Sequence, residues 1–117
     1  MKLAMIVIRP DMYYETSKAL IDNGFFSMTS MSGTGRGKQR VDFVTAENED
    51  VVDSDYHQMV AKKIIEICVR DEQVDELIEI ITQVNSKNHS GDGKIFIIPV
   101  ESGQRIRTGE TGDESIM

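Results

Sequence analysis

The chain is poor in cysteine, histidine, proline, aromatic residues and positive charge, and each shortage excludes something. Its one cysteine, Cys68, rules out an intrachain disulfide, which fits a reducing compartment. Its two histidines, His57 and His89, sit in polar stretches with no His-x-x-x-His or His-Asp-Ser order, so they read as surface residues. Aromatics make up 6% of the chain, and Tyr13, Tyr14 and Tyr56 do not alternate with basic residues as a nucleic-acid stacking platform would. Lysine and arginine number 13 against 20 acids, a formal charge of −7. That balance argues against a nucleic-acid coat, which needs a positive surface. It still permits a nucleotide held by a few local cations. The apolar run Leu3–Ile8 is far too short to span a bilayer, and no secretory leader pattern opens the chain. The expectation is a cytoplasmic protein without a nucleic-acid partner.

What is present is a duplicated pattern. Residues 1–117 are short for more than one domain, and a 39% hydrophobic content is that of a globular chain. Leu3–Ile8 reads as a buried strand ended by Pro10. Asp11 is the expected N-cap of a following helix and Gly24 its stop. Phe25–Met31 alternates loosely and is expected as a second strand. Lys63–Val69 then reads as a strand, Asp71 repeats the position of Asp11, and Val74, Leu77, Ile78 and Ile81 define an amphipathic helix. Asn85–Gly91 is polar and turn-like, and Lys94–Val100 is the last strand. Two tandem β-α-β units predict an α+β fold of ferredoxin-like type, with both helices on one side of the sheet. Apolar side chains point both ways along the strands. The uncovered face is therefore either solvated or packed on another subunit, and the shortness of the chain favours the second.

Three runs carry the chemistry. Ser90-Gly91-Asp92-Gly93-Lys94 sets two glycines and a lysine before a strand. Glycine lets main-chain N–H groups converge on an anion, and Lys94 adds a mobile charge. The run lacks the spacing and hydroxyl of the P-loop, so the residues alone leave open a phosphate site or a plain turn with surface charges, with Asp92 as a turn residue. Gly33-Thr34-Gly35-Arg36-Gly37-Lys38-Gln39-Arg40 opens a long acidic connection, Val41–Gln58. Connections of that length are usually functional or mobile. Arg105-Ile106-Arg107-Thr108-Gly109 puts two arginines on one face if the segment is extended. Lys62 and Lys63 fall on opposite faces of the returning strand. Glu66 interrupts an apolar strand, as a surface acid or as a polar handle in a pocket. Cys68 in the same strand suits a buried small hydrophobe. The acidic segment 110–117 is expected to fray or to pack in an oligomer.

In this order, on a duplicated frame, the three runs resemble the PII signal-transduction family from about Lys2 to Thr108. The resemblance implies a non-enzymatic sensor of nitrogen and energy status. It implies a homotrimer that binds ATP or ADP in clefts between subunits and, with Mg-ATP, 2-oxoglutarate. By that resemblance Gly91, Asp92, Gly93, Lys94 and Lys38 surround the phosphates, with Arg105 and Arg107 from the neighbouring subunit. Thr29, Glu66 and the Cys68 backbone resemble adenine-side positions. Gln39 is the implied magnesium ligand and bridge to 2-oxoglutarate, Lys62 pairs with its carboxylate, and Gly35, Gly37 and Arg40 belong to the loop base. The loop at about 37–58 matches the family's mobile T-loop.

The wording Gly-Arg-Gly-Lys-Gln-Arg-Val-Asp-Phe, with Val84-Asn85 and Pro99, resembles the branch associated with nitrogen-fixation genes, and within it the second of two paired forms. That implies control of nitrogenase through its molybdenum-iron component, alone or co-assembled with a paired chain. Val41–Asp55 lacks the tyrosine that commoner bacterial members modify, and Lys87 replaces a small hydroxyl residue. Competing readings are a regulator of an ammonium transporter, the only one that implies membrane contact, a weak nucleotide hydrolase, and a structural trimer with an inert loop.

Overall fold

The computed structural model describes residues 1–36, 59–89 and 91–117. The expectations on Gly37, Lys38, Gln39, Arg40, Tyr56, His57, Ser90 and the 37–58 loop therefore lie outside the described residues.

Alternation builds the sheet. In β1, Lys2–Ile8, the buried residues are Ala4, Ile6 and Ile8, every second position. In β3, Val60–Val69, they are Ile65, Ile67 and Val69. β2 spans Thr29–Gly35 and β4 spans Lys94–Pro99. The four strands form one sheet in the order β2-β3-β1-β4, and each neighbouring pair is antiparallel. The two β-α-β units thus interleave: β3 separates β1 from β2, and β1 separates β3 from β4. This is the expected ferredoxin-like α+β fold.

Helices α1, Tyr13–Asp22, and α2, Val74–Asn85, pack side by side on one face. Leu20, Leu77 and Ile81 close the core over Ile6, Ile8 and Ile65. The two helices are also joined by a buried polar contact. Asn85 Nδ2 donates to Thr16 Oγ1 at 3.0 Å, and Thr16 Oγ1 donates to the Met12 carbonyl at 2.7 Å. Asn85, expected in the turn, is thus the last residue of α2.

Two boundaries differ from expectation. Asp11 is not an N-cap: it lies inside a 3-10 turn, Pro10–Met12, and α1 begins one residue beyond it. Pro10, with its fixed φ and missing donor, starts that turn after the extended Arg9. Asp71 repeats the arrangement in the turn Asp71–Gln73, where the Gln73 side chain accepts the Arg70 N–H at 2.9 Å. The second strand was expected at Phe25–Met31, but residues 25–28 are not strand. Phe25 closes α1 instead. Its N–H reaches Leu20 O at 2.9 Å, and that of Gly24 reaches Ile21 O at 3.0 Å, with Gly24 at φ +89°. This is a Schellman closure, and the buried pair Phe25 and Leu20 is its apolar contact.

Candidate functional site

The helix-free face of the sheet gathers much of the predicted set. Paired residues in an antiparallel ladder share a face. Thr29 stands opposite Glu66, Glu66 opposite Met5, and Met5 opposite Phe96. The next row holds Cys68, Leu3 and Ile98, and the row on the other side holds Met31, Ile64, Val7 and Lys94. Lys62 lies one step further, opposite Gly33. Thr29, Lys62, Glu66, Cys68 and Lys94 therefore occupy one surface.

The glycines of β2 make room on it. A Cβ on Gly35 would come within 3.1 Å of Lys62 Cγ, and one on Gly33 within 3.3 Å of Ile64 Cδ1. The Lys62 stem thus lies across β2 toward the base of the long loop. Lys63, on the opposite face, is held over the Tyr13 ring at 4.7 Å and donates to Ser32 Oγ at 3.3 Å.

The glycine turn before β4 is organised by Asp92. Its Oδ2 accepts the N–H of Lys87 at 2.8 Å and of His89 at 3.2 Å. Its Oδ1 is buried and faces Arg9 Nη2 at 3.4 Å. The Lys87 N–H does most to hold the Asp92 carboxyl below the usual range; His89 and Arg9 add to it, against a smaller opposing effect of burial. Gly93 has φ +127°, and a Cβ there would lie 2.4 Å from Val7 O. Only glycine lets the turn approach β1 so closely. Lys94 stays exposed at its exit. Asp92 is thus a turn organiser, and Arg9 is a supporting residue that sequence reasoning passed over, since nothing local links it to a position so distant in the chain.

The arginine run is not extended. Residues 105–109 form a tight turn, with the Gly109 N–H on Arg105 O at 2.8 Å, so the period-two argument for Arg105 and Arg107 fails. Arg107 is exposed, while Arg105 is drawn to the chain's own end: Nη1 lies 3.2 Å from Glu110 Oε2 and Nη2 donates to Met117 O at 2.6 Å. The acidic tail, expected to fray or to pack in an oligomer, forms a 3-10 turn, Gly112–Ile116, against the chain's own β3.

Among the described residues, Asp92, Gly93 and Lys94 lie at the β4 edge of the sheet, and Thr29, Glu66 and Cys68 lie toward the β2 edge. Asp92, Gly93 and Lys94 line a cavity of about 280 Å³ beside the end of α2. Cys68 lines another of about 240 Å³ bounded by Gly24–Ser27, Arg70 and Met117. Each is below the roughly 300–1,000 Å³ typical of small-molecule sites. β2 and β4 are opposite edges of the sheet, three strand spacings or roughly 14 Å apart.

The family model for the nitrogen regulatory protein P-II matches residues 1–110. The chain belongs to the P-II family. It is 36% identical over 126 residues to "Nitrogen fixation nifHD region GlnB-like protein 2" of Methanothermococcus thermolithotrophicus, covering 99% of this chain and 98% of that one. A protein of the same description from Methanobacterium ivanovii is 36% identical over 122 residues, with both chains fully covered. The solved structure of B. subtilis GlnK superposes with a TM-score of 0.77 at 28% identity, over 97% of this chain and 96% of that one. These P-II relatives bear out both the family and the nitrogen-fixation branch expected from the sequence.

Proposed function

We propose that the protein is a non-enzymatic regulator that binds ATP or ADP in clefts between the subunits of a homotrimer. With Mg-ATP it takes 2-oxoglutarate, and it controls nitrogenase through the 37–58 loop. The observation that carries this reading is the split between the phosphate-side and the adenine-side groups. The glycine turn and Lys94 sit toward one edge of the sheet, while Thr29, Glu66 and Cys68 sit toward the other, on one helix-free face. Two such half-sites become a whole site when one subunit's edge meets its neighbour's. The donor set suits a polyphosphate: exposed Lys94 and Arg107, with glycine main chain at 91 and 93. In this reading Gln39 is the magnesium ligand, and Lys38, Gly37 and Arg40 contribute to ligand binding from the loop. In the same reading Lys62, whose stem passes beside Gly35, pairs with a carboxylate of 2-oxoglutarate.

Asp92 is poorly suited to general-base work, because its oxygens already hold the turn and its acidity is increased. This favours binding over hydrolysis. The names of the relatives from nifHD regions support nitrogenase as the target over an ammonium transporter.

Calorimetry tests the sensor: 2-oxoglutarate should bind when Mg-ATP is present and not when either component is left out. Binding that ignores magnesium would reject the bridging role of Gln39. Capture from nitrogen-fixing cells tests the target, with the molybdenum-iron component retained and then released by Mg-ATP plus 2-oxoglutarate.

A further inference from the structure

The contacts of Arg105 go beyond an anion-binding residue waiting for its ligand. Its guanidinium is already engaged by Glu110 Oε2 at 3.2 Å, by Met117 O at 2.6 Å and, more weakly, by Glu114 O at 3.5 Å. The main chain holds these partners in place. Arg105 N–H donates to Glu110 O at 2.8 Å, Gly112 N–H donates to Gly103 O at 3.1 Å, and Gln104 bridges Thr111. Gly103 lets the tail come close: a Cβ there would meet Ser115 Oγ at 3.1 Å and Met1 Cε at 3.2 Å.

The same tail also roofs the cavity beside Cys68. Ile116 and Met117 line it together with Phe26 and Ile67. The Asp113 carboxylate is close enough to add to the effect of burial in raising the Cys68 thiol, an effect partly offset by the terminal amino group. One acidic segment therefore both engages Arg105 and lines the cavity beside Cys68. Lys94 and Arg107, the other cations described there, are exposed.

We propose that residues 110–117 are an intramolecular anion latch that occupies Arg105 and must release it before a polyphosphate can use that guanidinium. The proposal rests on the nucleotide reading above and adds a competition to it. The tail mimics the ligand with a carboxylate and carbonyl oxygens on the same fork. Nucleotide and docked tail are then linked reciprocally, so each weakens the other by the same factor. The tail's engagement lowers the apparent affinity by the fraction of chains that hold it.

The test uses the protein, its Glu110→Gln and Gly103→Val variants, and ATP and inorganic tripolyphosphate as probes. Glu110→Gln removes the carboxylate charge that faces Arg105, and Gly103→Val crowds Ser115 and Met1, loosening the tail while leaving the Glu110 and Arg105 side chains unchanged. ATP should bind each variant about three- to tenfold more tightly than the parent. The gain from Glu110→Gln should vanish in an Arg105→Ala background. ATP should also speed hydrogen exchange of the Gly112 amide in the parent. Equal or weaker ATP binding by both variants, with Gly112 exchange unchanged, overturns the latch and leaves the nucleotide reading standing. If neither ATP nor tripolyphosphate binds any of the three proteins, both readings fall together.

Discussion

Two glycines with positive φ show how differently one backbone requirement can be enforced. Gly24, at φ +89°, has open space around the position of a Cβ, so alanine there meets only the left-handed conformation itself. Gly93, at φ +127°, adds a Val7 carbonyl 2.4 Å from that position. Left-handed strain in a non-glycine residue costs on the order of 1–3 kcal/mol. Gly24→Ala should therefore lose about 1 kcal/mol of stability in urea denaturation. Gly93→Ala should lose at least about 3 kcal/mol and should also displace Lys94. Equal losses would mean that the close approach at Val7 is not what fixes glycine at 93.

Asp92 makes a pH prediction. Its carboxyl is more acidic in the folded chain than the roughly 3.9 of an unstructured aspartate. A depressed folded value stabilises the turn fully above about pH 4, and that contribution drains away as pH falls through the lower folded value. The Lys87 and His89 amide resonances should shift together on acidification, with a midpoint below that of a free aspartate. The same shifts should be absent in Asp92→Asn. A midpoint at or above the free value would break the link between the carboxylate and the turn.

Between the helices, the Thr16–Asn85 bond is a small polar contact in an apolar seam: Thr16 is fully buried and Asn85 is 6% exposed. Removing one partner takes away one of the two bonds that the other makes, since Asn85 Nδ2 also donates to Ile81 O at 3.0 Å and Thr16 Oγ1 to Met12 O at 2.7 Å, at about 1 kcal/mol. Thr16→Val should cost that much. Combined with Asn85→Leu, the double variant should cost less than the sum of the singles, and a thermodynamic cycle by chemical denaturation measures the difference. The strands and helices with strong apolar spacing were legible in the residues: Leu3–Ile8, Lys63–Val69, the α2 stripe and Lys94–Val100 all lie within or nearly match their elements. β2 was not, because an exposed edge strand of threonine, serine, methionine and glycine has no buried side to alternate with. Phe25 and Phe26 drew the expected strand upstream, although Phe25 is apolar in order to close α1.

For the molecule as a unit, the apolar side chains on the uncovered face matter most. Phe96 is 45% exposed, and Ile98 and Met31 are each 40% exposed. They lie in the same ladder rows as Glu66, Cys68 and Lys94. A contiguous apolar patch beside binding groups marks an association surface. On the proposed trimer, Phe96→Asp should keep the helix content of the chain while shifting its mass in light scattering from three chains toward one. Nucleotide binding should weaken at least tenfold in parallel. A monomer that still binds ATP at full strength would show that one chain suffices. Family wording proposed the residues of the candidate site, whereas the division of the described ones between two sheet edges was not legible in it. Strand order is a tertiary property, and the interleaving of the two units leaves no mark in local spacing.

That interleaving also imposes a schedule. The first strand made sits between the third and the fourth, so during synthesis it has no ladder partner until residues 60–69 emerge, and its second edge stays open until residues 94–99 follow. Sheets closed by such distant partners assemble slowly, and their unpaired edges are exposed to other nascent chains in the meantime. Translation speed through residues 60–99 should therefore govern how much of the product ends as soluble protein.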